Sequence, residues 1–365
     1  VNNKMDLKSL LLKQYELYPK MQIQDMVKLI YQNEFAGGHL IANENDSLIR
    51  LREECDSLGE YRTDIITPSE NVFEDIGNSL CRLHLQPLHN IDISLATINK
   101  FFVSTANSTS GSIRGFEKKL GILKQCCKDR ALPYPLEELE AYLNSYRSRG
   151  YPPVRHSEEY RAAYSPAYRV VKSEYGFYFE LFRRIDSLLK SKDTVNVAID
   201  GNCCAGKSTL ASLLGSVYDC NIFHMDHFFL RPELKTEERM KEAGGNADYA
   251  RFKKEVIAGL KNGSEFRYQK YDCSQGLLTG YITVLPKQLN IIEGVYCMHP
   301  SLADSYNLKV FLHIDEEKQN TRIKKRNGEL MYKKFISEWV PKENQYFSQM
   351  KIPEQCDLIF PPTLQ

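Results

Sequence analysis

Gly201-Asn202-Cys203-Cys204-Ala205-Gly206-Lys207-Ser208-Thr209 is the segment of this chain richest in chemistry. It fits G-x-x-x-x-G-K-[ST], follows the apolar β-branched run TVNVAID and leads into the helical pattern STLASLLGSVY. In that setting glycines let the backbone curl, so that successive N–H groups and a helix N-terminus surround a phosphate. Lys207 then neutralises β/γ oxygens, and the Ser208 hydroxyl ligates Mg²⁺. This is the chemistry of a P-loop. The plain alternative, a chance glycine-rich turn, is disfavoured by motif and context together.

Further groups lie where later strands should end. Asp226 follows the apolar run NIFHM, at the carboxyl edge where open α/β sheets bind ligands. There it is placed to take a proton from an acceptor hydroxyl facing the γ-phosphate, or else to cap a turn. Glu293 ends the run LNII before Gly294, so its carboxylate emerges beside the P-loop as a metal or water ligand, or as a strand-end turn carboxylate. Arg322 and Arg326 are spaced i,i+4 with Lys325 alongside; the cluster reads as a phosphate clamp or as a solvated basic face. Tyr271-Asp272 closes the run FRYQKYD and reads independently as a plain strand end.

Taken together and in order, these segments make residues from about 194 to 360 resemble the uridine kinase-like branch of P-loop small-molecule kinases, which sits near phosphoribulokinase and bacterial pantothenate kinase. The resemblance rests on GNCCAGKST, on MDHFF in the place of a D-x-F segment, and on YQKYDC in the place of a Y-D segment. It also rests on IIEGVY as strand plus E-G, and on TRIKKR as an arginine-rich lid helix. It implies that Asp226 is the catalytic base, that Tyr271 and Asp272 contact the acceptor, and that Glu293 sits near the metal and its waters. Arg322 and Arg326 then match lid arginines facing the transferring phosphate. The usual Arg-Asp pair after the lid helix is Arg326-Asn327 here, and ERMKEAGGNADY departs from the family's usual text.

The first half resembles no family. Its most concentrated polar stretch runs from Arg155 to Arg169, with Arg155, Arg161, Arg169, His156 and the tyrosines Tyr160, Tyr164 and Tyr168. Such a set holds an anionic or ring-bearing ligand, or packs one domain against another. His39 and His84 lack HExxH spacing and read as core or surface histidines.

The elements needed to position these residues follow from periodicity. Helical spacing recurs near 46–58, 71–83, 91–102, 115–128 and 136–147, separated by breakers such as Gly37-Gly38, Pro68 and Pro152-Pro153. After Thr194, short apolar runs at 221–226, 288–294, 308–315 and 356–360 alternate with helical stretches, and 266–272 with 281–285 suggests a hairpin. The expected architecture is a mostly α domain over residues 1–190, then an α/β P-loop NTPase domain with a doubly wound parallel sheet over 191–365, joined near Ser187–Asp193.

Composition agrees with that expectation. The 365 residues carry 48 basic and 47 acidic side chains, 42% hydrophobic and 26% charged, which excludes disordered and fibrous classes. Neither half is polycationic, and no apolar run approaches the ~20 residues of a membrane span. The ten cysteines contain no CxxC and read as reduced thiols rather than a zinc site. The resulting expectation is a cytoplasmic enzyme using ATP and Mg²⁺ to phosphorylate a small-molecule hydroxyl, uridine or another nucleoside first. It engages no nucleic acid or membrane, and an oligomer is compatible with it. A kinase of a pantothenate- or sugar-phosphate-like alcohol, or an NTP-dependent regulatory switch, are the alternatives.

Overall fold

Apolar residues three and four apart turn the first half of the chain into helices, and the short β-branched runs of the second half into strands. The computed structural model describes residues 6–38, 40–58 and 71–362. They divide into two units, Val1–Asp186 and Ser187–Gln365. His39 and Pro68 lie outside the described residues.

The first unit is built from α1 (Leu7–Leu17), α2 (Ile23–Phe35), α3 (Glu44–Leu58), α4 (Leu95–Ser108), α5 (Ile113–Lys128), α6 (Leu136–Ser148), α7 (Glu158–Tyr164) and α8 (Ser173–Phe177), with α9 (Phe179–Ser191) running across the boundary. Side-chain caps from Asp6, Ser94, Ser112 and Ser157 start four of these helices by accepting otherwise unpaired N–H groups. One face of α2, with Val27 and Ile30, buries against Phe116 and Leu123 of α5 and Tyr146 of α6.

Two expectations need correcting. The stretch 71–83 is not helical but holds β1 (Phe73–Asp75) and β2 (Leu80–His84), joined through Gly77, Asn78 and Ser79, all at positive φ. Strand β2 pairs antiparallel with β1 and with β3 (Tyr168–Lys172). Its first four residues are all buried, so no period-two alternation marks it as a strand. The expected linker is also helical as far as Ser191, because α9 continues through it.

Between this sheet and the helices lies a buried polar network. Arg82, with no exposed surface, donates through Nε and Nη2 to Gln32 Oε1 at 3.2 and 3.0 Å and lies 3.5 Å from Glu74. Glu74 also accepts from Tyr18 at 3.0 Å, from His84 at 2.9 Å and from Gln14. Farther along, Asp25 accepts from His156 Nδ1 at 2.8 Å and from the Ser157 hydroxyl at 2.6 Å, while His156 Nε2 accepts from Tyr168 at 2.5 Å.

In the second unit β4 (Val195–Gly201), β5 (Cys220–His224), β8 (Leu289–Glu293), β9 (Leu308–Leu312) and β10 (Leu358–Phe360) form a parallel sheet in the order β10-β9-β4-β8-β5. The chain moves one way across the sheet from β4 to β5, then back through β8 and β9 to β10. Right-handed crossovers therefore place the connections on both faces, a doubly wound arrangement. Strands β6 (Phe266–Asp272) and β7 (Leu277–Val284) form the separate hairpin. The remaining helices are α10 (Lys207–Val217), α11 (Glu237–Lys241), α12 (Tyr249–Phe252), α13 (Ala258–Asn262), α14 (Glu316–Lys334) and α15 (Val340–Gln349). Ala198, Ile292 and Phe311 from the sheet, with Phe228, Phe252 and Tyr346, make its core.

Candidate active site

Strand β4 is the axis of the site, because its connection leaves toward β5 while that of its neighbour β9 leaves toward β10. Open sheets bind ligands at the carboxyl ends of such a divergence. Gly201 ends β4 at φ 139°, and a Cβ there would stand 2.2 Å from the Leu312 carbonyl oxygen, so only glycine fits. The same carbonyl accepts the Asn202 N–H at 3.3 Å, tying the loop to β9. The loop then curls: Ala205 N–H donates to Asn202 O at 3.1 Å, Cys204 takes the left-handed conformation at φ 60°, and Gly206 at φ 103° opens α10. The N-terminus of α10 thus faces the loop with its unpaired N–H groups.

Lys207 Nζ donates to the loop carbonyls of Gly201 and Asn202, at 2.7 and 2.9 Å, holding its charge over the curl. Ser208 and Thr209 continue as the first turn of α10. Ser208 Oγ donates to Glu293 Oε1 at 3.0 Å, and His224 Nδ1 reaches the same oxygen at 2.5 Å. That bond to Glu293, with the carboxylate's charge, raises the His224 pKa above its ordinary value against the effect of burial. Asp226 stands two residues beyond β5 in a short 3-10 turn, with two thirds of its side chain exposed. Its charge reaches His224, His227 and Tyr268. Lys207, Ser208, Glu293 and Asp226 therefore collect on the carboxyl edges of three adjacent strands, β4, β8 and β5.

From α14, Arg322 Nη1 donates to the Cys204 carbonyl at 3.1 Å. Arg326 bonds Asn327 on its own helix at 2.9 Å, and its charge also reaches Cys204. Tyr271 is buried, and Asp272 accepts from the Ser274 N–H and hydroxyl at 2.8 and 2.6 Å, so one of its oxygens caps the hairpin turn. In the first unit, Arg155 precedes α7 on a loop and is exposed, Arg161 on α7 pairs with Glu158 at 3.6 Å, and Arg169 on β3 pairs with Glu54 at 2.6 Å.

Sequence reasoning missed the residues that brace the loop from behind. Buried Glu343 on α15 accepts the Cys203 N–H at 2.8 Å, and Gln319 on α14 donates to the Cys203 carbonyl at 3.2 Å. Asp200, fully buried, accepts from Gly201 N–H at 2.8 Å, Met298 N–H at 3.1 Å and the Tyr346 hydroxyl at 2.9 Å. Burial pushes its pKa up to about 6, against the pull of Lys207 and these donors. No local spacing announces these partners.

The donor set suits a hard cation. Ser208 and Glu293 offer two oxygens, and no group of three or more His, Cys, Asp or Glu side chains is placed to hold a metal among the described residues. Mg²⁺ is commonly held by one or two protein oxygens with waters and substrate phosphates completing its shell, so the residues fit it. Among the described residues, no helix is long and apolar enough to cross a membrane.

No family model matches this chain, and no curated protein matches it. Among solved structures, it is similar to a possible uridine kinase from Bacillus stearothermophilus at 21% identity and TM-score 0.37, over 50% of this chain and 99% of that one. A candidate fructose transport system kinase from Silicibacter is 21% identical with TM-score 0.40, over 47% and 92% of the two chains. A protein from Thermus thermophilus matches at 16% identity and TM-score 0.27, over 47% and 90%.

Proposed function

We propose that this chain is a kinase that moves the γ-phosphoryl group of ATP to a hydroxyl of a small molecule. The observation that carries the reading is the convergence of Lys207, Ser208, Glu293 and Asp226 on one sheet edge, with the Ser208–Glu293 pair at 3.0 Å. Loop N–H groups and the α10 N-terminus hold phosphate oxygens, and Lys207 turns from the loop carbonyls to the β/γ oxygens. Ser208 and Glu293 hold Mg²⁺, which supplies charge neutralisation on those oxygens when bound. Asp226 accepts the proton of the acceptor hydroxyl, and its exposure leaves it open to that hydroxyl. Arg322 and Arg326 face the phosphate as it transfers. The acceptor class we favour is a nucleoside, with Tyr271 and Asp272 toward it, on the resemblance of the motifs; a pantothenate- or sugar-phosphate-like alcohol is the competing acceptor.

ADP release measured across a panel of nucleosides and these alcohols tests the reading, and one acceptor should stimulate it. In that assay Asp226→Asn should lower turnover by roughly 10²–10⁴-fold while leaving ATP affinity in place. Slow hydrolysis that no acceptor stimulates would instead mark an NTP-dependent switch.

A further inference from the structure

The last residues of two adjacent strands meet at the carboxylate proposed to hold Mg²⁺. In the parallel register of β5 with β8, His224 stands directly opposite Glu293, so both side chains leave the same face of the sheet at the same level. Glu293 keeps only 6% of its side chain exposed, and among the described residues no lysine or arginine pairs with it. Its hydrogen bonds come from two different elements, Ser208 Oγ on α10 at 3.0 Å and His224 Nδ1 on β5 at 2.5 Å, and both land on Oε1. An ionised carboxylate offers only acceptors, so Nδ1 is the donor. Among the described residues, Oε2 takes no hydrogen bond. The His224 side chain is 39% exposed, and its ring meets that of His227 edge-on at 5.3 Å. The charges that face it besides Glu293 are Asp226, two residues on, and Lys270 from β6.

We infer that His224 is a positioning residue for the divalent cation, its Nδ1–H fixing the Glu293 carboxylate in the orientation that receives Mg²⁺. The inference rests on the proposed reading of Glu293 as a metal ligand. The last torsion of a glutamate is broad, so an unheld carboxylate samples many orientations and loses that freedom when a cation binds. A donor on a strand of the central sheet removes the freedom beforehand. Partners that orient metal ligands in this way are commonly worth about 10–100-fold in metal affinity. Ser208 does not replace His224, because its hydroxyl is itself assigned to the cation. What the carboxylate needs from position 224 is an N–H, so a neutral amide there serves as well.

Equilibrium dialysis of labelled ADP against the full-length protein, once in EDTA and once in saturating Mg²⁺, tests this, because the ratio of the two affinities reads the metal. His224→Leu and His224→Asn are matched in size, and only the second keeps a donor near the place of Nδ1. His224→Leu should cut the ratio about 10-fold or more with metal-free affinity in place, and His224→Asn should keep most of it. A wild-type ratio in His224→Leu overturns the inference, and so does an equal loss in His224→Asn. A loss in EDTA as large as that in Mg²⁺ marks a merely structural role and overturns it too. Glu293→Gln separates this failure from that of the kinase reading. An undiminished ratio in Glu293→Gln takes the metal away from Glu293 and the positioning role with it. A lost ratio there beside an unchanged one in His224→Leu discards His224 alone. ADP that binds in neither buffer overturns both.

Discussion

The network around Arg82 and the loop edge around Lys207 both gather charged groups inside a fold, and both shift pKa values. They differ in where those groups point. Arg82, Glu74, Gln32, Asp25 and His156 bond to one another, so the cluster closes on itself and joins β2 and β3 to helices α1 and α2. At the loop, Asp200, Glu343 and Gln319 hold the backbone from behind, while Asp226 is exposed and Lys207 rests on the loop carbonyls of Gly201 and Asn202. A perturbed ionisable group thus fits either role, and closure separates the structural cluster from the one proposed to do chemistry.

The sharpest way to break this comparison is to remove one charge from each cluster. Arg82→Ala strands the Glu74 carboxylate in the interior and should cost about 3–5 kcal/mol in urea unfolding, while nucleotide affinity of the folded fraction stays. Unchanged stability would show that the network is not structural. Lys207→Ala should do the reverse, lowering turnover about 10²-fold or more with the unfolding midpoint in place.

Acid should separate the clusters next. Arg82, His84 and Gln14 outweigh burial and hold Glu74 at about 2, below its ordinary 4.5. The stability it contributes is present above 4.5 and is lost as pH falls toward 2. Burial holds His156 at about 4, so its contribution is full above 6.5 and fades as pH falls through 4. Asp200 has the opposite sign: raised to about 6, it stabilises the fold below 3.8 and loses that contribution as pH rises through 6. Fluorescence of Trp339, the sole tryptophan, reports the second unit during unfolding. Asp200→Asn should remove a pH-dependent component between about 4 and 6 from that signal, whereas Glu74→Gln should leave it alone. A Trp339 profile indifferent to Asp200→Asn would contradict the assignment. The smallest effect belongs to Arg161, whose exposed pair with Glu158 is worth under about 0.5 kcal/mol, so Arg161→Ala should leave the melting temperature in place. If it raises the acceptor's KM instead, the Arg155–Arg169 stretch joins the site.

Much of the second unit was legible because its signals are local. Gly201, Gly206, Lys207 and Ser208 lie within eight residues, and each strand of the sheet is a short apolar run. The braces were illegible for the opposite reason: Glu343 and Tyr346 meet Cys203 and Asp200 only through packing, and a Glu on an amphipathic helix looks like any solvated carboxylate. Strand β2 hid because burial on both faces erased its alternation, and its partner β3 lies far along the chain. Asp272 followed by Ser274 and Gly276 carried a legible turn signal, and the structure uses both carboxylate oxygens in that turn, one accepting from Ser274 and the other from the Gln275 side chain.

The contact between Gly201 and Leu312 also sets an order of assembly. The loop sequence is complete early, yet the carbonyl that fixes its first turn belongs to a strand more than a hundred residues downstream. Closing so long a stretch of chain carries an entropic penalty that local contacts do not, so β4–β9 pairing is a late, high-contact-order event. A chain emerging from the ribosome therefore holds every residue of the motif before it holds the cradle. On the proposed kinase reading, the capacity to grip phosphate arrives only when β9 has docked, which would couple ligand binding to completion of the sheet.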